Sequence, residues 1–274
     1  MKADMVTSEQ LQEADLLVPF EIQNIPAKYR EYYTIKRNNL FASIQGFPEM
    51  WKYYHLLDAI WLRELEDAEV ARDANRVFPM MLYVNAHAKI RIAIELAFSG
   101  CMAEARSILR DAIEFVAHAH HMLKDPLLQK VWLDKDTQEE AFKDAFERNK
   151  KQGLFDGMKE LHDKWRELSE FGSHATPLAL SERFVITHTT EGQRWQINYT
   201  GGDLRRWAMG LFVMLLTCFV MEDTFFSDYK SRLELDPRLV QMRLDFQTYK
   251  EQLRRILITR YKVPAPPQPL VQVP

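Results

Sequence analysis

The sequence predicts a mainly α-helical protein, a single bundle of about seven to nine helices with one small β-hairpin inserted at about residues 183–200. Only 9 glycines and 12 prolines interrupt the 274 residues, which indicates long regular elements. Apolar and polar side chains alternate on both sides of Glu191-Gly192, which is typical of a hairpin. Hydrophobic residues make up 47% and charged residues 27% of the chain, as in a globular domain, and this composition excludes a mainly disordered chain.

Breaker residues divide the first half of the chain. Residues 1–25 show no clear period and are predicted to form an N-terminal arm, ahead of a helical domain that spans 26–262. The helices predicted in the first half of that domain begin at a proline or just after a glycine, and they span 26–45, 48–76, 79–98 and 102–123. The charged segment 64–76 predicts that the C-terminal part of the second helix is exposed to solvent. Apolar residues on nearly every side of the third helix predict that this helix is buried.

The second half of the chain combines short helices, the hairpin and two long helices. Three shorter helices are predicted at 126–134, 138–151 and 157–171. Because a two-stranded hairpin is not stable alone, the strands of 183–200 are expected to pack on the helices. Helix resumes after Asp203 and continues to about Asp228, and the last helix is predicted over 237–261. The proline-rich tail, 263–274, is predicted to be extended.

The cysteines, the N-terminus and the charge balance predict a cytoplasmic protein with no membrane association. Cys101 and Cys218 lie in apolar surroundings without metal-binding or redox spacing, so a disulfide framework is not expected. No secretory signal is visible at the start of the chain. The longest uncharged run, 207–221, is shorter than the ~18 to 20 residues that cross a bilayer, so a core helix is favoured over a membrane segment. A net charge of -3 gives no strong nucleic-acid signature.

Helical spacing places two rows of polar side chains on neighbouring helices. The row on the predicted helix 79–98 consists of His87, Arg91 and Glu95. The row on the predicted helix 102–123 consists of Arg106, Arg110 and Glu114, and His118 lies on the same polar face of that helix. The short connection around Gly100 makes these helices antiparallel neighbours, and counting outward from it brings the two rows level. We therefore predict a polar seam between the two helices.

A polar seam inside a bundle requires an explanation, because burying a charge is energetically unfavourable unless the charge is paired. It could be a ladder that fixes the register of the helices, or the lining of a small cavity that binds an anionic ligand or an RNA phosphate, or both rows could face solvent. His174 follows the predicted helix 157–171 and either caps that helix or belongs to the site. The predicted ligand-binding residues are Arg91, Arg106, Arg110, Glu114, His118 and His174.

The titratable residues do not match the known patterns for metal binding or covalent catalysis. A di-metal helical bundle needs Glu-x-x-His, whereas three residues separate Glu114 from His118. The run His118-Ala-His120-His121 could hold a structural metal, but its members point to different sides of a helix. No Gly-x-Ser-x-Gly, Gly-rich phosphate loop or His-Glu-x-x-His occurs in the chain. We therefore predict no cofactor and no metal.

Three short motifs resemble a scattered family of uncharacterised bacterial all-helical proteins, over roughly residues 80–200. The motifs are Arg106-Ser107-x-x-Arg110-x-x-x-Glu114, Trp132-Leu133 and Phe171-Gly172-Ser173-His174. The resemblance implies a helical fold and a shared polar site but no particular reaction. The spacing of Arg183 and His188 is also similar to the motif of HEPN domains, helical bundles that often act as ribonucleases in toxin and phage-defence systems. In this chain that spacing lies on the predicted hairpin.

Three functions follow from these observations. The leading prediction is a non-catalytic binding or interaction module, with self-association considered, whose polar pocket surrounds Arg110, Glu114 and His174. The alternative is a metal-independent ribonuclease or other phosphodiester enzyme, in which a histidine acts as acid or base and an arginine stabilises phosphate charge. A third is a C-terminal region that recruits partners through the basic end of the last helix and the tail 263–274.

Overall fold

A computed structural model describes residues 26–68, 76–148, 150–151, 153–170, 184–189, 192–197, 204–230 and 237–261. The helices in this part of the chain are α1 (Ala27–Gly46), α2 (Pro48–Ala68), α3 (Val77–Phe98), α4 (Met102–Lys124), α5 (Leu127–Leu133), α6 (Glu139–Phe142), α7 (Lys159–Leu168), α8 (Leu204–Tyr229) and α9 (Pro237–Tyr261). The strands are β1 (Phe184–Thr189) and β2 (Gly192–Ile197). The predicted mainly helical bundle with one hairpin is confirmed.

The ends of the long helices lie close to the predicted ones. Gly100 has a φ of 85° between α3 and α4, a left-handed conformation that glycine adopts without steric cost. Pro48 begins α2 as expected, but the described helix ends at Ala68, and residues 69–75 lie outside the described residues. The helix predicted over 138–151 is shorter in the structure, because α6 passes into a π-helical turn at Lys143–Glu147.

The two strands form the predicted hairpin. β1 and β2 pair antiparallel, with Phe184 opposite Ile197 at one end and Thr189 opposite Gly192 at the other. This register leaves two residues, 190–191, between the strands, which is the loop length of the tightest hairpins. Alternation in the sequence therefore located both strands, but the connection lies one residue earlier than the predicted Glu191-Gly192, because Gly192 already belongs to β2.

Helix α8 lies at the centre of the bundle. Its buried residues include Ala208, Leu211, Met214, Leu215, Cys218, Met221, Phe225 and Tyr229. The indole of Trp207 donates a hydrogen bond to the carbonyl of Ala97 on α3, and the ring of Phe225 stacks on Trp61 of α2. Among the described residues, α8 is the one helix long and apolar enough to cross a membrane; half of that apolar window is buried in the bundle, where the helix packs against α2, α3 and α4.

Two burial predictions fail. Helix α3 is not buried all round, because Met81, Val84 and Ile92 lie on a side of it that is about half exposed. The charged end of α2 does not lie wholly in water, because Glu64 is completely buried. Charge alone predicted exposure at Glu64, whereas its helical position, seven residues after the core residue Leu57, places it on the buried stripe of α2.

Candidate functional site

The first predicted polar row contacts α2 rather than α4. Asp58 on α2 lies between His87 and Arg91, with Nε2 of His87 at 2.8 Å from Oδ1. Arg91 donates from Nε to Oδ1 at 2.9 Å and from Nη2 to Oδ2 at 2.7 Å, which is a bidentate pair. Burial raises the pKa of Asp58, but the hydrogen bonds from His87 and Arg91 outweigh it and hold that pKa well below its usual range.

The remaining members of the two rows also contact other helices. Glu95 pairs with Lys36 of α1 at 3.4 Å. Arg106 is buried and lies against α8, where its Nη2 is 3.1 Å from the position that a Cβ on Gly210 would take. The prediction that the two rows face each other in one seam is therefore wrong. Helices α3 and α4 are neighbours, but their polar ridges diverge towards different partners.

Two members of the second row, Arg110 and Glu114, belong to a polar cluster between α4, α7 and the turn that precedes α7. We call it the α4–α7 cluster, and it consists of Arg110, Glu114, Lys150, Trp165 and Ser169. Three donors converge on Oε1 of Glu114: Nη2 of Arg110 at 3.0 Å, Nζ of Lys150 at 3.0 Å and the indole Nε1 of Trp165 at 2.9 Å. A single carboxylate oxygen thus holds two cations and an aromatic ring in place.

The guanidinium of Arg110 is fixed from several directions. Its Nε donates to Oγ of Ser169 at 2.9 Å, and that hydroxyl donates in turn to the carbonyl of Trp165 at 2.7 Å. The centroid of the Trp165 ring lies 4.9 Å from Cζ of Arg110 and 4.9 Å from Nζ of Lys150, within cation–π range of both. Trp165 and Ser169 are four residues apart on one helical face, which explains why α7 supplies both.

The α4–α7 cluster is only partly buried. Side-chain exposure is 22% for Arg110 and 26% for Glu114. Nη1 of Arg110 has a longer contact, 3.4 Å to Oδ1 of Asp111, which is itself nearly half exposed. Burial raises the pKa of Glu114, but hydrogen bonds from Lys150 and Trp165 and the charge of Arg110 lower it overall. Glu114 is therefore ionised at neutral pH. Asp111 faces both Arg110 and, at 3.6 Å, Lys89 of α3, so three cations face two carboxylates along these contacts.

His118 lies one turn beyond Glu114 but belongs to an aromatic environment. Its ring meets the edge of Phe146 at 5.0 Å, and His121 contacts the same phenyl ring at 5.8 Å. Burial lowers the pKa of His118 to about 4 and also lowers that of His121. Both imidazoles are neutral at neutral pH. The structure thus places His118 beside the cluster as an uncharged side chain.

The other histidines singled out by the sequence are only partly located. His174 and Arg183 lie outside the described residues. The backbone of His188 lies on β1, opposite Gln193, so the spacing that resembles HEPN domains includes a strand residue. Of the six predicted ligand-binding residues, Arg110 and Glu114 are in direct contact, Arg91 and Arg106 lie elsewhere, and His118 is adjacent.

Sequence reasoning missed two further polar clusters. Arg243 of α9 contacts Glu64 of α2 and Glu222 of α8 in the bundle interior. His120 Nδ1 lies 2.8 Å from Oδ1 of Asp228, whose Oδ2 accepts a hydrogen bond of 2.5 Å from the hydroxyl of Tyr83. These charged residues stand at core positions of otherwise apolar helical stripes, and that placement was the signal available in the sequence.

Among the described residues, no group of three or more histidine, cysteine, aspartate or glutamate side chains could hold a metal ion. The α4–α7 cluster is instead suited to charge recognition, because its cations are positioned, partly exposed and adjacent to an aromatic ring. No protein-family model, curated protein or solved structure matches this chain.

Proposed function

We propose that this protein is a binding module that recognises a small anionic ligand at the α4–α7 cluster. The observation that carries this proposal is the convergence of Arg110 and Lys150 on a single oxygen of Glu114, in a place that solvent reaches. The ion pairs around Arg110 join three cations to two carboxylates and so leave one positive charge in excess. That charge attracts an anion, and the fixed guanidinium presents donors to it without further ordering.

The direction of ligand approach follows from the hydrogen bonds of Arg110. Nε is occupied by Ser169 and Nη2 by Glu114, whereas the part of the chain that the structure describes gives Nη1 only the long contact to Asp111. A phosphate or carboxylate group that binds Nη1 replaces this weak, exposed contact with a short charge-assisted hydrogen bond. Lys150 supplies a second contact from the turn before α7. Glu114 and Ser169 act as positioning residues in this arrangement.

His118 does not fit the acid–base role in the ribonuclease alternative. A general acid must carry an acidic proton at the working pH, and burial lowers the pKa of His118 to about 4. At neutral pH His118 therefore lacks the imidazolium proton of a general acid and is a weak proton acceptor. The ribonuclease alternative then depends on His174 and His188, and RNA cleavage by variants of these two residues tests it.

The proposal is tested by thermal unfolding with a panel of anions in wild type and two arginine variants. The probes are inorganic phosphate, citrate, adenosine monophosphate and a short single-stranded RNA. Arg110→Gln removes the proposed contact, and Arg91→Gln is the matched control because it breaks an arginine–carboxylate pair with Asp58, away from the cluster. We expect at least one anion to raise the unfolding temperature of wild type and Arg91→Gln and to leave that of Arg110→Gln unchanged.

Two outcomes contradict the proposal. If no anion raises the unfolding temperature of wild type, or if Arg110→Gln responds as wild type does, the α4–α7 cluster is a structural device that joins α7 to α4. RNA that is cleaved in the presence of EDTA by wild type, and not by His174→Ala or His188→Ala, would establish the enzyme instead.

A further inference from the structure

Two carboxyl groups meet in the interior of the bundle, at the junction of α2, α8 and α9. The exposed fraction is 0% for Glu64 of α2 and 1% for Glu222 of α8. Both carboxyl groups lie against the same side chain. Arg243 of α9 reaches both from one nitrogen, with Nη1 at 2.6 Å from Oε1 of Glu64 and in contact with Oε1 of Glu222.

The charged and titratable groups that face this pair come from all three helices. Helix α9 supplies Arg243, whose Nη2 also lies 3.2 Å from Oδ1 of Asp223 on α8. Helix α2 supplies Tyr53, a neutral phenol whose own pKa is raised by burial, by Cys218 and by Glu222. Among the described residues, Arg243 is the one cation in contact with the pair, so two ionised carboxylates would leave an uncompensated negative charge in the interior.

An uncompensated buried charge is strongly unfavourable, and a pair of adjacent carboxylates is relieved when one of them takes up a proton. We propose that Glu64 and Glu222 bind one proton between them at neutral pH, and that this proton keeps α2, α8 and α9 together at the junction. With the proton bound, one carboxylate balances Arg243 and the other carboxyl group is neutral. When the proton is lost, the two carboxylates repel each other and draw water into the junction.

The sign of the pH dependence follows from this arrangement. Burial raises the pKa of Glu64 and of Glu222, and the charge of Glu222 raises that of Glu64 further, whereas Arg243 lowers both. A carboxyl group whose pKa is higher in the folded state than in the unfolded state stabilises the fold at low pH, and that contribution is lost as the pH rises through the folded-state pKa. The junction is therefore closed at neutral pH and opens on the alkaline side.

The test is the pH dependence of thermal unfolding in the full chain and in Glu64→Gln. Glutamine keeps an oxygen for Arg243 and an N–H donor for Glu222 but cannot ionise. Between about pH 6 and about pH 10, we expect the unfolding temperature of wild type to fall by about 3 to 5 °C per pH unit more than that of Glu64→Gln, the slope for one proton bound only by the folded state. Glu49→Gln is the matched control, because Glu49 joins α2 to α9 through Arg260 nearer the surface.

Infrared spectroscopy observes the proton directly. We expect wild type at neutral pH to show the carbonyl band of a protonated carboxylic acid, which titrates at alkaline pH and is absent from Glu64→Gln. Glu222→Gln replaces the other member of the pair and is used if Glu64→Gln does not fold. Parallel pH slopes for wild type and the glutamine variant, or a wild-type spectrum without the carboxylic acid band at neutral pH, would overturn the proposal.

Discussion

Replacing Glu114 by glutamine removes the charge on which the α4–α7 cluster depends. The variant keeps an oxygen acceptor, so the hydrogen bonds from Arg110 and Lys150 change from ion pairs to bonds between a cation and a neutral amide. Each such change costs about 1 kcal/mol, which gives about 2 kcal/mol for the two cations. For a chain of this size that loss lowers the unfolding temperature by roughly 4 to 8 °C, measured by differential scanning calorimetry at neutral pH.

The pH dependence of that loss identifies its cause. The pKa of Glu114 is lowered in the folded state, so its contribution to stability is present above its unfolded-state pKa and disappears as the pH falls through the folded-state pKa. The difference between wild type and Glu114→Gln should therefore vanish in acid. Glu66→Gln is the control, because Glu66 is largely exposed and lies 3.7 Å from Arg63, a surface pair worth less than about 1 kcal/mol. An effect of Glu114→Gln no larger than that of the control, or one that persists in acid, would refute the reasoning.

Three further predictions follow from the packing. Asp58→Ala should destabilise the fold by about 2 to 3 kcal/mol in urea unfolding, because it removes the carboxylate that joins α2 to α3; an effect near zero would show that the α2–α3 contact does not need it. Leu211→Ala should cost about 2 to 5 kcal/mol and Met209→Ala, on the exposed side of α8, about 0.5 kcal/mol, and equal costs would contradict a core position for α8. Cys101 and Cys218 are buried, and burial raises the pKa of Cys218, so Ellman's reagent should label neither thiol in the folded chain and both in denaturant; rapid labelling of the folded chain would contradict this packing.

Local signals in the sequence were sufficient for the helices and the hairpin. Proline at 48 and glycine at 100 act within one turn of their own positions, so their effect on helix ends does not depend on the rest of the fold. The same is true of the alternation around Glu191-Gly192, which located the two strands, although their register places the connection one residue earlier.

The partners of the polar ridges could not be predicted in this way. Helical periodicity assigns His87 and Arg91 to one ridge, but it does not say which helix that ridge will meet. Their partner is Asp58, which precedes them by about 30 residues and lies on a different helix from the one that chain connectivity suggested. The direction of a ridge depends on how the helices are rotated about their axes, and that rotation is set by the packing of the whole bundle.

Buried charges were the other source of error. Glu64 was assigned to water because charged residues surround it in the sequence, although it stands seven residues after Leu57 on the stripe that faces the core. The buried charge at Glu64 is compensated by its contact with Arg243, which also contacts Glu222, and these two residues come from helices that are distant in sequence. Position on the helix indicated burial, and only the tertiary structure shows what compensates for it.

The central claim, that the α4–α7 cluster binds an anion, is tested most directly at the indole of Trp165, whose Nε1 donates to Glu114. The chain has six tryptophans, so the indole N–H resonance of Trp165 can be assigned in a nitrogen–proton correlation spectrum by its loss in Trp165→Phe. On titration with inorganic phosphate or adenosine monophosphate, we expect this resonance to shift and saturate in wild type and in Arg91→Gln and to stay in place in Arg110→Gln. A resonance that does not move in wild type, or that moves equally in Arg110→Gln, would contradict the claim.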